Sequence, residues 1–280
     1  MGQGMTPRAT VLIPAWNEAG VIAQTLAALR DPSLHLVVIA NACTDATAAV
    51  ARGAAPRALV LETARPGKTH ALNLGLTHAL PDLPIVCLDA DLATTPDMIL
   101  ALVAALEPAL VACGRMDVDS AGASFLVQAF MRGWAQNPYF SRGKFGGLVA
   151  VSAAAAARVF PLPDMTADDE WIRRSFAPDE TAFVPGCSFT ARAPRDLATL
   201  IRVRRRSLRG ARAVQAAGLL AAGGMMPMLK QAGIRPSMWG DFAVFAAVMA
   251  LVRVQLAFEP RTARTAWERD TTNRPTGVTP

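Results

Sequence analysis

The 280-residue sequence predicts an α/β fold, an open and mostly parallel sheet flanked by helices. Two observations carry the prediction. Between residues 10 and 106, short runs rich in Val, Ile and Leu alternate with helical stretches, and strand–helix–strand order implies parallel pairing through right-handed crossovers. The runs are also almost continuously apolar rather than alternating, which implies a sheet covered on both faces.

Residues 10–14 (TVLIP) read as the first strand, and 18–29 as a helix that Asn17 or Glu18 caps. HLVVIA at 35–40 is the second strand, followed by a helix over 44–52 opened by a capping Thr or Asp. A third strand covers 59–62, a helix 68–80, and PIVCL at 84–88 forms the fourth strand. Thr94 or Thr95 caps a helix running to 106, with Pro96 near its first position. Beyond 111 the alternation loosens, and 117–147 shows no clear period. Helices are expected at 153–159 and 167–176, strand character at 181–191, and a strongly basic helix at 197–212. Two apolar segments, 213–229 and 242–252, precede a polar tail from 261. Asp241 and Arg253 bracket the second segment, which at about 1.5 Å per residue is too short for a bilayer of roughly 30 Å. Core or interfacial helices are expected there. The chain thus divides into 1–212, with halves at about 8–115 and 116–212, and a helical extension over 213–280.

Composition excludes several classes. With 52% hydrophobic and 18% charged residues the chain is neither disordered nor collagen-like. The formal net charge of +6 comes almost wholly from arginine, and only 6% of residues are aromatic, which argues against a nucleic-acid surface. Four cysteines without a C-x-x-C argue against a zinc ribbon or redox motif, and read as small core residues of a reducing, cytoplasmic protein. Residues 1–8 contain no apolar core of a secretory signal. His35, His70 and His78 show no ligand spacing, and no G-x-S-x-G anchors a serine triad.

Ligands of open parallel sheets bind outside the carboxyl ends of the strands, which shortlists 15–18, 41–45, 65–68 and 89–91. Asp89-Ala90-Asp91 ends an apolar strand, so both carboxylates can turn toward one hard divalent cation that keeps positions for phosphate oxygens. Gly67 permits an unusual backbone angle, and Lys68 at a helix start can meet a phosphate. Neither a P-loop nor a G-x-G-x-x-G is present. Asp168-Asp169-Glu170 open a helix, either as favourable dipole partners or as a general base whose pKa like-charge crowding raises. The arginine run over 202–212 reads as a solvated face, an anionic-lipid contact, or a clamp on a diphosphate.

In order and spacing these stretches resemble the family 2 glycosyltransferases of the GT-A fold: Pro14–Glu18 as P-A-x-N-E, then N-x-C-T-D-x-T from Asn41, G-K-x-x-A-L-N from Gly67, D-x-D at Asp89, and the acidic pair Asp168-Asp169. The similarity covers residues 10 to 210. It implies a Rossmann-like catalytic domain that transfers one sugar, with inversion, from a UDP- or GDP-linked donor to a carbohydrate or lipid-linked acceptor. Pro14, Ala15, Asn17, Glu18 and Asn41 are implied to hold the nucleoside, with Lys68, Asp89, Ala90, Asp91, Arg205 and Arg206 around the ribose and diphosphate. Mn²⁺ or Mg²⁺ is implied on Asp91 with Asp89, and Asp169 as the base. Where relatives carry an acid after the second strand, this chain has Asn41, which donates and accepts and leaves the nucleobase open. The Trp of the Q/R-x-x-R-W motif of processive synthases is missing, so single transfer is expected. The arginine run before the apolar segments adds an expected peripheral contact with the inner face of a membrane. A sugar nucleotidyltransferase and a non-catalytic nucleotide-sugar or assembly subunit are the rival readings.

Overall fold

The computed structural model describes residues 6–137, 140, 145–219 and 236–259. Its apolar runs become one seven-stranded sheet. β1 (Ala9–Ala15), β2 (Leu34–Asn41), β3 (Leu59–Thr63) and β4 (Ile85–Leu88) pair in parallel in the order β3-β2-β1-β4. Almost every residue of β1, β2 and β4 is buried, so neither face meets water and the strands have no polar side to alternate with. β5 (Val111–Asp119), β6 (Leu148–Val151) and β7 (Thr181–Arg192) continue the sheet as β4-β6-β5-β7, with β6 antiparallel to both β4 and β5.

The crossover helices are α1 (Ile22–Ala28), α2 (Thr47–Ala54), α3 (Lys68–Leu76) and α4 (Pro96–Ala104). α4 starts where its sequence places it: Pro96 fills the first turn and Thr95 Oγ1 accepts from the Met98 amide at 3.4 Å. The starts of α1 and α2 differ from expectation. Neither Asn17 nor Glu18 caps α1, and α2 begins at Thr47 rather than 44. The polar side chains of both loops bond across to each other instead. α3 closes at Leu76 rather than 80, with Thr77 Oγ1 donating back to the Leu74 carbonyl at 2.8 Å. The stretch without a period, 117–147, holds the end of β5 and α5 (Phe125–Ala135), neither of which was anticipated; 138, 139 and 141–144 lie outside the described residues. α6 (Ala153–Val159) and α7 (Asp168–Arg174) lie where helices were expected. Leu12, Val37, Ile39, Leu72, Cys87 and Cys113 sit in the core, and burial pushes the Cys87 and Cys113 thiols up to about 12.

Packing sorts the described residues into two units, 6–116 with 145–189, and 117–137, 140, 190–219 with 236–259. This differs from a boundary at 212. In the second unit α8 (Leu197–Ala216) joins α5 and α9 (Trp239–Ala257) around a separate cluster of Val127, Phe130, Leu200, Phe245 and Val252. Arg132 donates twice to Asp241, at 2.9 and 2.8 Å, and the Phe130 and Phe245 rings lie 5.2 Å apart. The segment 242–252, expected to be short, lies inside this 19-residue α9, about 28 Å long. Pro236–Ala257 is long and apolar enough to cross a membrane by length and composition. The helix runs through its bracketing charges because Arg132 neutralises Asp241 and Arg253 donates to the Met249 carbonyl at 3.2 Å. Residues 220–229 of the first apolar segment and the tail from 261 lie outside the described residues.

α8 opens at Asp196, whose carboxylate accepts from the Thr199 amide at 2.8 Å and the Thr199 hydroxyl at 3.0 Å. The backbone bond from Thr199 is the main reason its carboxyl lies below the usual range. A depressed folded-state pKa contributes stability above the unfolded value of about 3.9 and loses it as pH falls through the folded value. Asp196→Ala is therefore expected to cost about 1 kcal/mol in urea unfolding at neutral pH, and much less once acid has protonated the wild-type carboxyl.

Candidate active site

The ends of β1 and β2 are laced together by side chains. Asn17 (φ 54) and Ala42 (φ 49) both adopt the left-handed conformation, uncommon for residues other than glycine and a source of strain that needs support. The support is dense. Asn17 Oδ1 accepts from the Thr44 amide at 2.7 Å, the Trp16 indole donates to the Ala42 carbonyl at 3.2 Å, and the Glu18 amide donates to Thr47 Oγ1 at 2.7 Å. The Ala19 amide donates to Asp45 at 3.2 Å. Cys43, expected in the core, is only half-buried; its thiol donates to the Ala15 carbonyl at 3.3 Å and accepts from the Asn17 amide at 3.4 Å. Asn41 closes β2 as a buried residue, and its Oδ1 has no hydrogen-bond partner among the described residues. Such an acceptor costs about 1–3 kcal/mol until a donor meets it.

A second group of strand ends meets at Lys68. Gly67 adopts φ 127 before α3, as its sequence position anticipated, and Lys68 begins the helix. Its Nζ lies 2.7 Å from Asp89 Oδ1 and 2.8 Å from Asp168 Oδ2, tying the end of β4 to the start of α7. Burial alone would lower the Lys68 pKa, but Asp168 and then Asp89 outweigh it and hold the ammonium well above the usual lysine range. Its charge is held by two carboxylates, one from each element. The acidic triple is not a crowd of like charges. Asp168 is buried against Lys68, while Glu170 accepts from Arg173 and Arg174, each at 2.8 Å. Asp169 stands between them, half-buried, its Oδ1 accepting from the Glu170 amide at 2.9 Å.

Pro14, Lys68, Asp89, Phe145, Asp168 and Asp169 line one cleft where the ends of β1 and β4 meet the start of α7; of the shortlisted strand ends its lining takes Lys68 and Asp89, and none of 15–18 or 41–45. Ala90 is buried, its carbonyl accepting from Thr25 Oγ1 at 2.8 Å, and Asp91 is exposed. Phe145 and Gly147 were missed, since they fall in the stretch without a period. Gly147 (φ 84) accepts the Asp89 amide on its carbonyl at 2.7 Å, and a Cβ there would fall 2.6 Å from Asp89 Oδ2 and 2.7 Å from Leu92. Gly147→Ala is expected to destabilise by roughly 1–3 kcal/mol through overpacking and a forbidden φ, read from the midpoint of chemical unfolding. Arg205 and Arg206 belong to α8 in the second unit, where Arg205 lies 3.8 Å from Glu259 and Arg209 also binds that carboxylate.

No group of three or more His, Cys, Asp and Glu able to hold a metal occurs among the described residues. Asp91 and Asp89 nevertheless offer the hard oxygens that Mn²⁺ and Mg²⁺ take, and such ions use one or two carboxylates with phosphate oxygens completing the shell. With Asp89 tied to Lys68 and Asp91 exposed, the donor set fits an ion that arrives with a diphosphate.

Residues 10–159 match the family model described as glycosyl transferase family 2. A search of curated proteins found no significant match. Among solved structures, glucosyl-3-phosphoglycerate synthase from Mycobacterium tuberculosis, in complex with Mn²⁺, UDP and glucosyl-3-phosphoglycerate, is similar with a TM-score of 0.56 and 20% identity, over 78% of this chain and 82% of that one. A mannosyltransferase from Pyrobaculum calidifontis, in complex with GDP-mannose and Mn²⁺, is similar with a TM-score of 0.55 and 22% identity, over 92% of this chain and 78% of that one. Both likenesses concern the fold.

Proposed function

The chain belongs to glycosyl transferase family 2, and on that premise we propose that it moves a single sugar from a UDP- or GDP-linked donor to an acceptor hydroxyl, with inversion at the anomeric carbon. The observation that carries the reading is the Lys68 bridge, which joins the D-x-D strand end to the acidic pair at 2.7 and 2.8 Å. One Asp of the pair is thereby used to fix α7, and Asp169, which lines the same cleft as Asp89, acts as the base. Pro14, Ala15, Asn17, Glu18 and Asn41 receive the nucleoside, with the buried Asn41 oxygen accepting an N–H of the base. Asp89, Ala90 and Asp91 face the ribose and diphosphate. Mn²⁺ or Mg²⁺ on Asp91 supplies positive charge against the charge that develops on the departing diphosphate.

Asp169 takes the proton of the acceptor hydroxyl as its oxygen bonds to the anomeric carbon. The bond from that carbon to the diphosphate oxygen breaks on the opposite face, so the anomeric configuration inverts. The acceptor is a carbohydrate or a lipid-linked glycan intermediate, in polysaccharide or glycolipid assembly. Four free cysteines suit a reducing cytoplasm. Incubation with UDP- and GDP-sugars and Mn²⁺ tests the reaction. The expected result is metal-dependent release of one nucleoside diphosphate and an inverted product anomer by NMR; a retained anomer, or no release from any donor, contradicts it.

A further inference from the structure

The second unit has a charge and a surface that sugar transfer does not use. The described residues of this unit, 117–137, 140, 190–219 and 236–259, hold ten Lys and Arg against five Asp and Glu, while those of the first unit hold ten against fifteen. Three of these five acids are already engaged within the unit: Asp241 by Arg132, Glu259 by Arg209, and Asp196 as the cap of α8. The unit is therefore strongly basic on a chain that is otherwise net acidic.

α9 adds an apolar surface. One face, with Phe245, Val248, Val252 and Leu256, is buried in the cluster shared with α5 and α8. On the other, Trp239, Ala243, Ala250, Val254 and Phe258 recur at the spacing of a single helix face, and all are exposed. The large ones are open to solvent, Trp239 by 62%, Val254 by 54% and Phe258 by 84%, with Leu251 beside them at 44%. Among the described residues of α9, Arg253 is the one exposed charged side chain. A helix on the surface of a soluble domain turns polar residues to water, and a continuous apolar face instead marks an interaction site.

We propose that α9 lies in the plane of an anionic lipid bilayer, its apolar face at the headgroup boundary and the exposed Arg202, Arg212 and Arg253 against lipid phosphates. Charge and apolarity together select this occupant. A second copy would bring two strongly basic units together. A nucleic acid would match the charge and leave the five-turn apolar face wet. An anionic bilayer satisfies both. The in-plane orientation follows from α5, which holds the opposite face of α9 through Phe130 and through the Arg132–Asp241 pair.

The test is flotation of the full-length protein with vesicles of phosphatidylcholine alone or mixed with phosphatidylglycerol. The protein is expected to float with the mixed vesicles and far less with phosphatidylcholine. The double variant Leu251→Glu/Val254→Glu should bind at least about tenfold more weakly. Removing Arg202 or Arg212 should weaken binding by about fivefold each. Leu251, Val254 and Arg212 are exposed, so for those variants thermal melting and nucleotide binding should match wild type, which separates failure here from failure of the transfer reading. The proposal is overturned if wild type stays unbound on mixed vesicles, or if the double variant floats equally. It is also overturned if sedimentation shows a wild-type dimer that the double variant loses.

Discussion

Asp169→Asn is expected to lower kcat by about 10²–10⁴-fold while donor binding stays near wild type. The expectation rests on a division of labour inside one acidic triple. Asp168 is buried with its carboxylate 2.8 Å from the Lys68 ammonium, and Glu170 is held by Arg173 and Arg174. A carboxylate paired with a buried cation is a poor base, because accepting a proton would break the pair. Asp169 lines the same cleft as Asp89 without a share in the Lys68 bridge, and the isosteric amide preserves its shape while removing its basicity. Steady-state kinetics with a nucleotide titration on the same variant separates the two effects. If Asp169→Asn kept most of its turnover while Asp168→Asn with intact folding lost it, the two assignments would be reversed.

Lys68→Met is expected to destabilise the protein by about 3 kcal/mol, the low end for breaking a buried pair. The low end applies because Asp89 is 35% exposed and water compensates it in part, whereas Asp168, at 9%, would be left as a nearly bare buried charge. Guanidinium unfolding of the variant measures the loss. Lys68→Met/Asp168→Asn should recover part of it by removing the uncompensated charge. The pH dependence follows from the sign of the shift. A lysine pKa raised in the folded state contributes stability that is fully present below the unfolded value, about 10.4, and is lost as pH rises through the higher folded value. Between pH 6 and 9 this bridge should add no slope to stability. Such a slope in wild type that Lys68→Met abolishes would contradict the assignment.

The parallel half of the sheet was legible because its signal is local: a strand buried on both faces must be apolar throughout, and β1, β2 and β4 are. Pro96 and Thr95 marked α4 for an equally local reason. β5 and α5 were not legible, since α5 buries only one stripe, Val127 with Phe130 and Met131, against helices distant in sequence. The loops after β1 and β2 misled for a related reason. Asn17 and Thr44 have the chemistry of helix caps, and tertiary proximity of the two turns, 27 residues apart, pairs them with each other instead. In the candidate site, residue types at the strand ends pointed to the cleft, but partner choice did not follow from them. Lys68 was readable as a charge at a helix start, and its bridge between Asp89 and Asp168 shows only in three dimensions.

The central claim is that the β1, β2 and β4 ends form a metal-dependent nucleotide site. Calorimetric titration of UDP and GDP, each with and without Mn²⁺, into wild type and Asp91→Ala tests it most directly. The account predicts that one nucleotide binds with Mn²⁺, weakly or not at all without it, and that Asp91→Ala removes the metal dependence. No binding of either nucleotide to folded wild type under any of these conditions would contradict it.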